Sequence, residues 1–534
     1  MIADLDTRCS ERYAPGGEVL PVPEVLSVPG VVGVCDGPPE RDGFARSRDR
    51  FEEVAGWLSG GEAGALAHAE LEQRLDADGR ELLRLLLQDH LDLRASREVR
   101  VERVVDSEGA GRPSVEAGHE RPLSTVFGEV RVRRLAYRAR GCRNLCQADG
   151  QLNLPLEKHS HGLRRLAAIE SSRGSFGDAC EAVCRSTGQT VGKRQLEALA
   201  GGAACDFDAF YEAREPGATE AGDALVISCD GKGVVMRPEA LRPATRKQAQ
   251  KAKGKLETRL SKGEKRNRKR VAEVGAVYDM TPVPRTVADI LPANENERRE
   301  AKQAPKAKGK WLTASVADDA AKVVSDIFDE ADRRDPDHTR PLVALVDGNN
   351  HQIDRIQAEA TEREIDVTIL IDLVHVLEYL WSAAWCFHQE GDRAAEQWVA
   401  RHAQRILAGG ATKVASAIRR QATNRGLTPA RRAGADKCAT YLTNKANYLD
   451  YPAALTNGWP IATGVIEGAC RHLVKDRMDL TGARWGLDGA EAILKLRAIR
   501  ANGDFDQYWT FHLAQEHERV HQSRYANNHL PQPA

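Results

Sequence analysis

Apolar positions along this chain change their period several times, and each change predicts a different kind of structure. Residues 1 to about 50, rich in Pro, Gly and charge, hold no durable period and read as loop or disorder. From Phe51 to about Arg97 the pattern is helical. Within Asp76–Arg97, Leu82, Leu83, Leu86, Leu87, His90 and Leu91 form an amphipathic stripe suited to a packing or dimer helix. Ser124–Arg138 then alternates apolar and basic residues around Gly128, which predicts a small hairpin with one basic face. Gly162–Ser172, Phe176–Cys184 and Lys193–Leu199 form three short helical stretches, the last two separated by the turn Ser186–Gly192. A short Gly-containing turn between two helices suits a helix-turn-helix, with a plain three-helix packing unit as the alternative.

Beyond a linker at residues 213–222 the pattern becomes α/β. Ala224-Leu-Val-Ile-Ser-Cys-Asp230 reads as a buried strand ending in an acid, with Gly231–Met236 as its antiparallel partner and Val271–Met280 as a third strand. A polar excursion to Lys310 and a helix over Trp311–Arg333 follow. Pro341-Leu-Val-Ala-Leu-Val-Asp347 is a second buried-type strand ending in an acid. After it come a helix over Gln352–Glu362, a strand over Asp366–Ile371, and Asp372-Leu-Val-His375 at the start of a long helix. Residues 376–460 read as helical throughout, marked by Trp381, Trp385, Trp398, Leu407, Ile418 and Tyr441. Thr463–Met478 is a helix with Glu467 early in its course; at 3.6 residues per turn Arg471 and Lys475 share its side. A last helix covers Gly489–Arg500, and the tail beyond Leu530 is expected to fray.

The expected organisation is therefore a loop (1–50), a helical region (51–118), a hairpin with helix-turn-helix (119–212), and a first α/β part (223–375). A helical insertion (376–460), C-terminal core helices with Glu467 (461–510) and a tail (511–534) complete it. The length accommodates about three or four domains. The formal net charge of −1, from 77 basic and 78 acidic residues, announces no nucleic-acid partner, so only local charge could reveal one. The most basic stretch, Arg242–Arg270, carries thirteen Lys or Arg against two acids. Such a run is a solvated segment or a grip on a phosphate backbone. No secretory signal or membrane-length apolar run is present, and eleven scattered cysteines read as reduced thiols in a cytosol. Cys142 and Cys146, with His159 and His161 downstream, have zinc-ligand chemistry. Their spacing lacks the CxxC pairs of zinc ribbons, so loop thiols are expected instead.

Three antiparallel strands, then parallel strands with crossover helices, form a ribonuclease H-like layout. In it the first and fourth strands lie side by side, so Asp230 and Asp347 end at one edge, where α/β sheets gather their chemistry. Glu467 could join them from its helix. Three such carboxylates select hard cations, Mg²⁺ or Mn²⁺, and two ions about 4 Å apart suit in-line phosphodiester displacement. Taken singly, each aspartate reads as a turn cap, and it is their recurrence at corresponding strand ends that points to chemistry.

From about Phe51 to Trp509 the sequence resembles transposases of the ISKra family of bacterial insertion sequences, in the wider Asp-Asp-Glu class. The segments that carry the resemblance are Ile227-Ser-Cys-Asp-Gly-Lys-Gly233, Leu345-Val-Asp-Gly-Asn-Asn-His351, Asp372-Leu-Val-His375, and Gly464-Val-Ile-Glu-Gly-Ala-Cys470 through Gly482-Ala-Arg-Trp485. The resemblance implies that Asp230, Asp347 and Glu467 are a catalytic, metal-binding triad and that a helical insertion precedes Glu467. Asp372 and His375 match a D-x-x-H motif near the active site, positioning DNA or supporting the triad; a core imidazole is the alternative for His375. The expected activity is cleavage at the element's ends followed by joining of the 3′-hydroxyl to target DNA. The expected partners are double-stranded DNA, as terminal inverted repeats and target, and at least a second copy of the chain; the expected location is the bacterial nucleoid. Arg471, Lys475, Arg477, Arg484, Lys193 and Arg194 are the candidate DNA contacts. A non-catalytic helix-turn-helix regulator and a nuclease that cleaves without joining are the alternatives.

Overall fold

The computed structural model describes residues 43–215, 222–251, 268–480 and 482–532. The loop expected over residues 1–42, the 216–221 part of the linker and the centre of the basic run, 252–267, lie outside the described residues. Helix α1 (Ala45–Leu58) begins earlier than the expected boundary and pairs with α2 (His68–Ser96). The pair is fastened by charge: Arg46 Nε donates to Asp89 (2.8 Å) and Arg50 to Asp78 (2.6 Å). That changes the face α2 buries. Leu91 is covered, while Leu83 and Leu86 of the apolar stripe are exposed.

The hairpin is β1 (Ser114–Thr125) and β2 (Gly128–Arg138), antiparallel and joined by Val126-Phe127. Val130 and Val132 face inward by the strand period of two. Arg131 and Arg133 face outward but are engaged by Glu120 across the ladder, at 3.2 and 2.5 Å, so the basic face is partly neutralised. Helices α3 (His161–Arg173), α4 (Phe176–Thr187) and α5 (Lys193–Ala203) follow, and Leu163, Ala167, Val183, Leu196 and Leu199 form their common core. Ser160 caps α3. Ser175 and Asp178 form a reciprocal capping box at α4, which sets the corner between the two helices.

A five-stranded mixed sheet occupies the middle of the chain. It comprises β3 (Ala224–Val235), β4 (Lys269–Met280), β5 (Ala307–Ser315), β6 (Leu342–Val346) and β7 (Val367–Ile371), in the spatial order β5-β4-β3-β6-β7. Both β3–β4 and β4–β5 are antiparallel, whereas β3–β6 and β6–β7 are parallel. Continuous runs such as Leu342–Val346 are wholly buried, as strands covered on both faces must be. Helix α6 (Ala320–Arg334) connects β5 to β6, and α7 (Asn350–Glu362) connects β6 to β7.

Two expectations fail here. Gly231–Met236 is no hairpin partner: β3 continues through Asp230 to Val235 without a bulge, and its partner is β4. The glycines serve close approach instead. A Cβ on Gly231 would lie 2.8 Å from Val271 Cγ1, and one on Gly233 would lie 2.9 Å from Lys269 Cδ. The helix expected from Trp311 is in fact edge strand β5, with Trp311, Thr313 and Ala314 buried. The helical pattern starts only at Ala320, where Asp319 caps it.

The helical insertion follows β7 as α8 (Leu373–Ala384), α9 (Arg393–Leu407), α10 (Ala411–Asn424) and α11 (Pro429–Asn444), with a short helix at Tyr451–Thr456. Helix α12 (Gly464–Ala469) carries Glu467. It continues as a π-helical stretch, Cys470–Lys475, and a last turn, Asp476–Met478, so the single 3.6-residue face expected through Lys475 is broken. Helix α13 (Leu487–Ala501) packs on β5, α3 and α5, and α14 (Phe505–Val520) crosses the expected 510/511 boundary. No helix among the described residues is long and apolar enough to cross a membrane.

The tail is held as far as Pro531, and the last two residues of the stretch expected to fray, 533–534, lie outside the described residues. Tyr525 is buried with Val101, Val104, Tyr137 and Leu145, and the Pro531 carbonyl accepts a hydrogen bond from Gln147. The chain end therefore straps the hairpin region. Tyr525→Ala is expected to cost about 3 kcal/mol, as for other buried aromatics, and to make the hairpin region protease-sensitive. Unchanged melting and proteolysis would show that the strap contributes nothing.

Candidate active site

Strand pairing brings the first two acids together. The parallel register pairs Ile227 with Ala344, and Ser228 Oγ donates to the Leu345 carbonyl. Carried three residues further, it sets Asp230 level with Asp347, the residue that follows β6. Burial pushes the thiol of Cys229 upward, and Glu273, Asp347 and Asp230 add to it by repulsion. Asp230 Oδ1 accepts from its neighbour Gly231 N, and Oδ2 from Cys470 Sγ (3.3 Å), which reaches in from the π-helical stretch. Asp347 Oδ1 caps the next turn through Asn349 N (2.7 Å). Neither Asp230 nor Asp347 has a Lys or Arg within ion-pair distance among the described residues. Glu273, half-buried on β4, stands nearby; burial raises its pKa and Asp230 adds to the rise.

Glu467 approaches from α12, where Asp372 and His375 stand beside it. The ligand atoms of these three lie within 4.8 Å of one another. Asp230, Asp347 and Glu467 do not by themselves make so tight a group. Donors shared between two ions about 4 Å apart need not all touch one another, so this spacing is compatible with a two-ion site. His375 Nδ1 is 3.6 Å from Asp372 Oδ2, an ion pair and not a hydrogen bond. Asp372 raises the imidazole to about 9 against the effect of burial, with Glu378 and Asp347 contributing. The His375 side chain is 31% exposed and so is not enclosed in the core.

The insertion supplies the far wall. A cavity of about 310 Å³ is lined by Asp347, His375, Glu378, Tyr379, Lys437 and Tyr441, among others. Tyr441 donates to the Asp347 carbonyl (3.2 Å) and stacks on Tyr379 at 3.9 Å and 13°. Gly348, at φ +90, makes the approach possible: a Cβ there would sit 2.6 Å from the Tyr441 hydroxyl. Sequence reading missed Cys470, Glu273, Lys437 and Tyr379, and took Tyr441 only as an apolar marker. Cys470 alone carried a signal, its place one turn after Glu467.

The candidate DNA contacts divide. Arg471, Lys475 and Arg484 are exposed, as are Lys193 and Arg194 at the start of α5. Arg471 has one weak partner, Asp476 at 3.8 Å. Arg477 is a correction. It is 2% exposed, donates to the Ser171 carbonyl (3.0 Å) and lies over the rings of Phe176 and Trp485. Burial lowers its pKa to about 10, with Arg497 adding repulsion. It rivets the Glu467 segment to α3 and α4 and cannot meet a phosphate from that position.

Two groups of potential metal ligands occur among the described residues: Asp372–His375–Glu467, and Cys205–Asp206–His512. Neither includes Cys142 or Cys146. His161 Nε2 instead bonds the Asn153 carbonyl at 2.6 Å. Comparison with protein-family models and with curated proteins gave no match for this chain.

Proposed function

We propose that this chain is a divalent-metal-dependent DNA transposase of the insertion-sequence type, with a ribonuclease H-like core. The observation that carries the reading is the parallel β3–β6 register, which runs toward Asp230 and Asp347 together, with Cys470, three residues after Glu467, bonded to Asp230. The strand order β5-β4-β3-β6-β7, with its three antiparallel and two parallel members, supports the core assignment. So does the position of the helical insertion between β7 and Glu467.

The donor set fits a hard cation. Asp230, Asp347 and Glu467 offer carboxylate oxygens, and among the described residues neither aspartate forms an ion pair with a Lys or Arg, although Asp347 acts on Lys445 at longer range. Bound Mg²⁺ or Mn²⁺ ions would activate water or a 3′-hydroxyl and stabilise the leaving oxygen. The chain's own residues hold the DNA in place. Arg471, Lys475 and Arg484 are exposed near the edge for phosphate contacts, and Lys437 lies across the cavity. Helices α3–α5 serve as the helix-turn-helix, with Lys193 and Arg194 presented to the terminal inverted repeat. Two element ends require at least two copies of the chain on the DNA, and the bacterial nucleoid is the place of action.

The test is incubation of the full chain with DNA that carries the flanking inverted repeats and a target duplex. Nicking at the repeat ends with Mg²⁺, none with EDTA, and recovery of joined product are expected. Cleavage without joining would favour a nuclease. Binding without cleavage would leave a regulator.

A further inference from the structure

Asp372 stands where three active-site segments meet, and it does more there than cap a helix. One oxygen, Oδ1, accepts from Val374 N at 2.7 Å and caps α8. Capping needs nothing further. Yet the second oxygen, Oδ2, accepts from both the amide (3.2 Å) and the hydroxyl of Thr463. Both residues are out of solvent, Asp372 at 0% exposure and Thr463 at 3%.

Thr463 is the residue immediately before α12. A threonine in that place ordinarily turns its hydroxyl onto the first free amides of its own helix. This one makes no such cap. Its hydroxyl goes to Asp372, while its carbonyl accepts from Glu467 N at 3.1 Å, so Glu467 is one turn above it. The main chain of the same segment completes the joint. Asp372 N donates to the carbonyl of Val346, the residue before Asp347, at 2.8 Å, and Leu373 N donates to the Ile461 carbonyl at 2.9 Å. One buried residue, Asp372, thus joins the end of β6 through its main-chain amide and the first turn under Glu467 through its carboxylate.

We infer that Asp372 is a positioning residue that acts through Thr463 to hold Glu467 at the edge occupied by Asp347. The consequence for catalysis rests on the transposase reading; the clamp itself does not. Catalytic groups depend on such fixing, and a displacement of about 1 Å costs about 10²-fold in rate. Without the hydroxyl, Asp372 Oδ2 keeps the amide of Thr463 but loses its second donor. The turn beneath Glu467 then loosens, while no DNA-facing side chain changes.

The experiment compares Thr463→Val, nearly the same shape without the hydroxyl, with Thr463→Ser, which keeps it, and with Asp372→Asn. Three quantities are measured on the full chain: amide hydrogen exchange over residues 463–469, binding to a repeat-end duplex, and Mg²⁺-dependent cleavage. Thr463→Val and Asp372→Asn should speed exchange in that segment and lower cleavage by about 10²-fold, with end binding unchanged. Thr463→Ser should stay within about threefold of the parent in cleavage and match its exchange. Wild-type exchange in Thr463→Val, or Thr463→Ser as impaired as Thr463→Val, overturns the inference. If the parent chain cleaves no DNA, the transposase reading fails, and the exchange comparison still decides the clamp.

Discussion

Glu467→Gln is expected to abolish Mg²⁺-dependent cleavage of repeat-end DNA while leaving binding to that DNA largely intact. The substitution keeps the side chain's length and shape but removes a charge that stands with Asp372 and His375. A carboxylate that holds a divalent ion contributes to stabilising charge at the reacting phosphate. About 4 kcal/mol of lost stabilisation corresponds to about a 10³-fold fall in rate. Binding should survive because Arg471, Lys475, Arg484, Lys193 and Arg194 are untouched. The check is a nicking assay beside a gel-shift titration on one DNA. Equal loss of binding would assign Glu467 to DNA contact, and retained cleavage would remove it from the metal site.

The largest effect on stability is expected far from that site, in a buried charge network at α14. Arg164 Nη1 pairs with Glu516 at 2.5 Å, His512 lies 3.3 Å from Glu516 and 2.6 Å from Asp206, and Arg519 pairs with Asp206 at 2.9 Å. Arg164, His512 and Glu516 are all buried. Among the described residues Glu516→Ala would leave buried Arg164 without a carboxylate partner and His512 with Asp206 alone. Breaking one member of a buried pair costs about 3–5 kcal/mol, measurable as a lower melting temperature. A change within the scatter of surface substitutions would show that the network does not hold α14 to α3.

The same network sets a pH window. Burial opposes the charge on His512, but Cys205, Glu516 and Asp206 outweigh it and raise the imidazole from 6.5 to about 9. Its stabilisation is complete below pH 6.5 and fades as pH rises through about 9. Burial also opposes ionisation of Glu516, yet His512 and Arg164 lower its carboxyl from 4.5 to about 2, so that stabilisation is complete above pH 4.5 and fades toward pH 2. In Glu516→Ala the alkaline loss should move to lower pH, because one of the acceptors that raise His512 is gone.

Parts of the candidate site were legible because they are local. Asp347 follows a run of five buried aliphatic residues, and Asp372 sits at a strand-to-helix junction where a capping acid belongs. Asp230 was found for a partly mistaken reason. Gly231–Met236 reads as a separate antiparallel strand, but it is the continuation of β3, packed against Val271 and Lys269. Strand β5 was lost for a related reason: Trp311 and its neighbours are short of β-branched residues, and only pairing with β4 makes them a strand. Arg477 misled because a cation on a basic segment reads as exposed until Phe176 and Trp485 are seen to enclose it.

The sequence alone determined that the apolar runs ending at Asp230 and just before Asp347 are buried strands, and that two acids stand at or just beyond runs that can lie in one sheet. Those properties come from side-chain period and capping chemistry, which act over a few residues. Tertiary structure alone decided that Asp230 and Asp347 are level, that Cys470 reaches the first acid and Tyr441 the second, that Asp372 grips Thr463, and that the tail turns back onto the hairpin. Each of these joins positions tens to hundreds of residues apart. Such pairings are chosen by register, burial and charge compensation across the whole fold, and no local pattern records them.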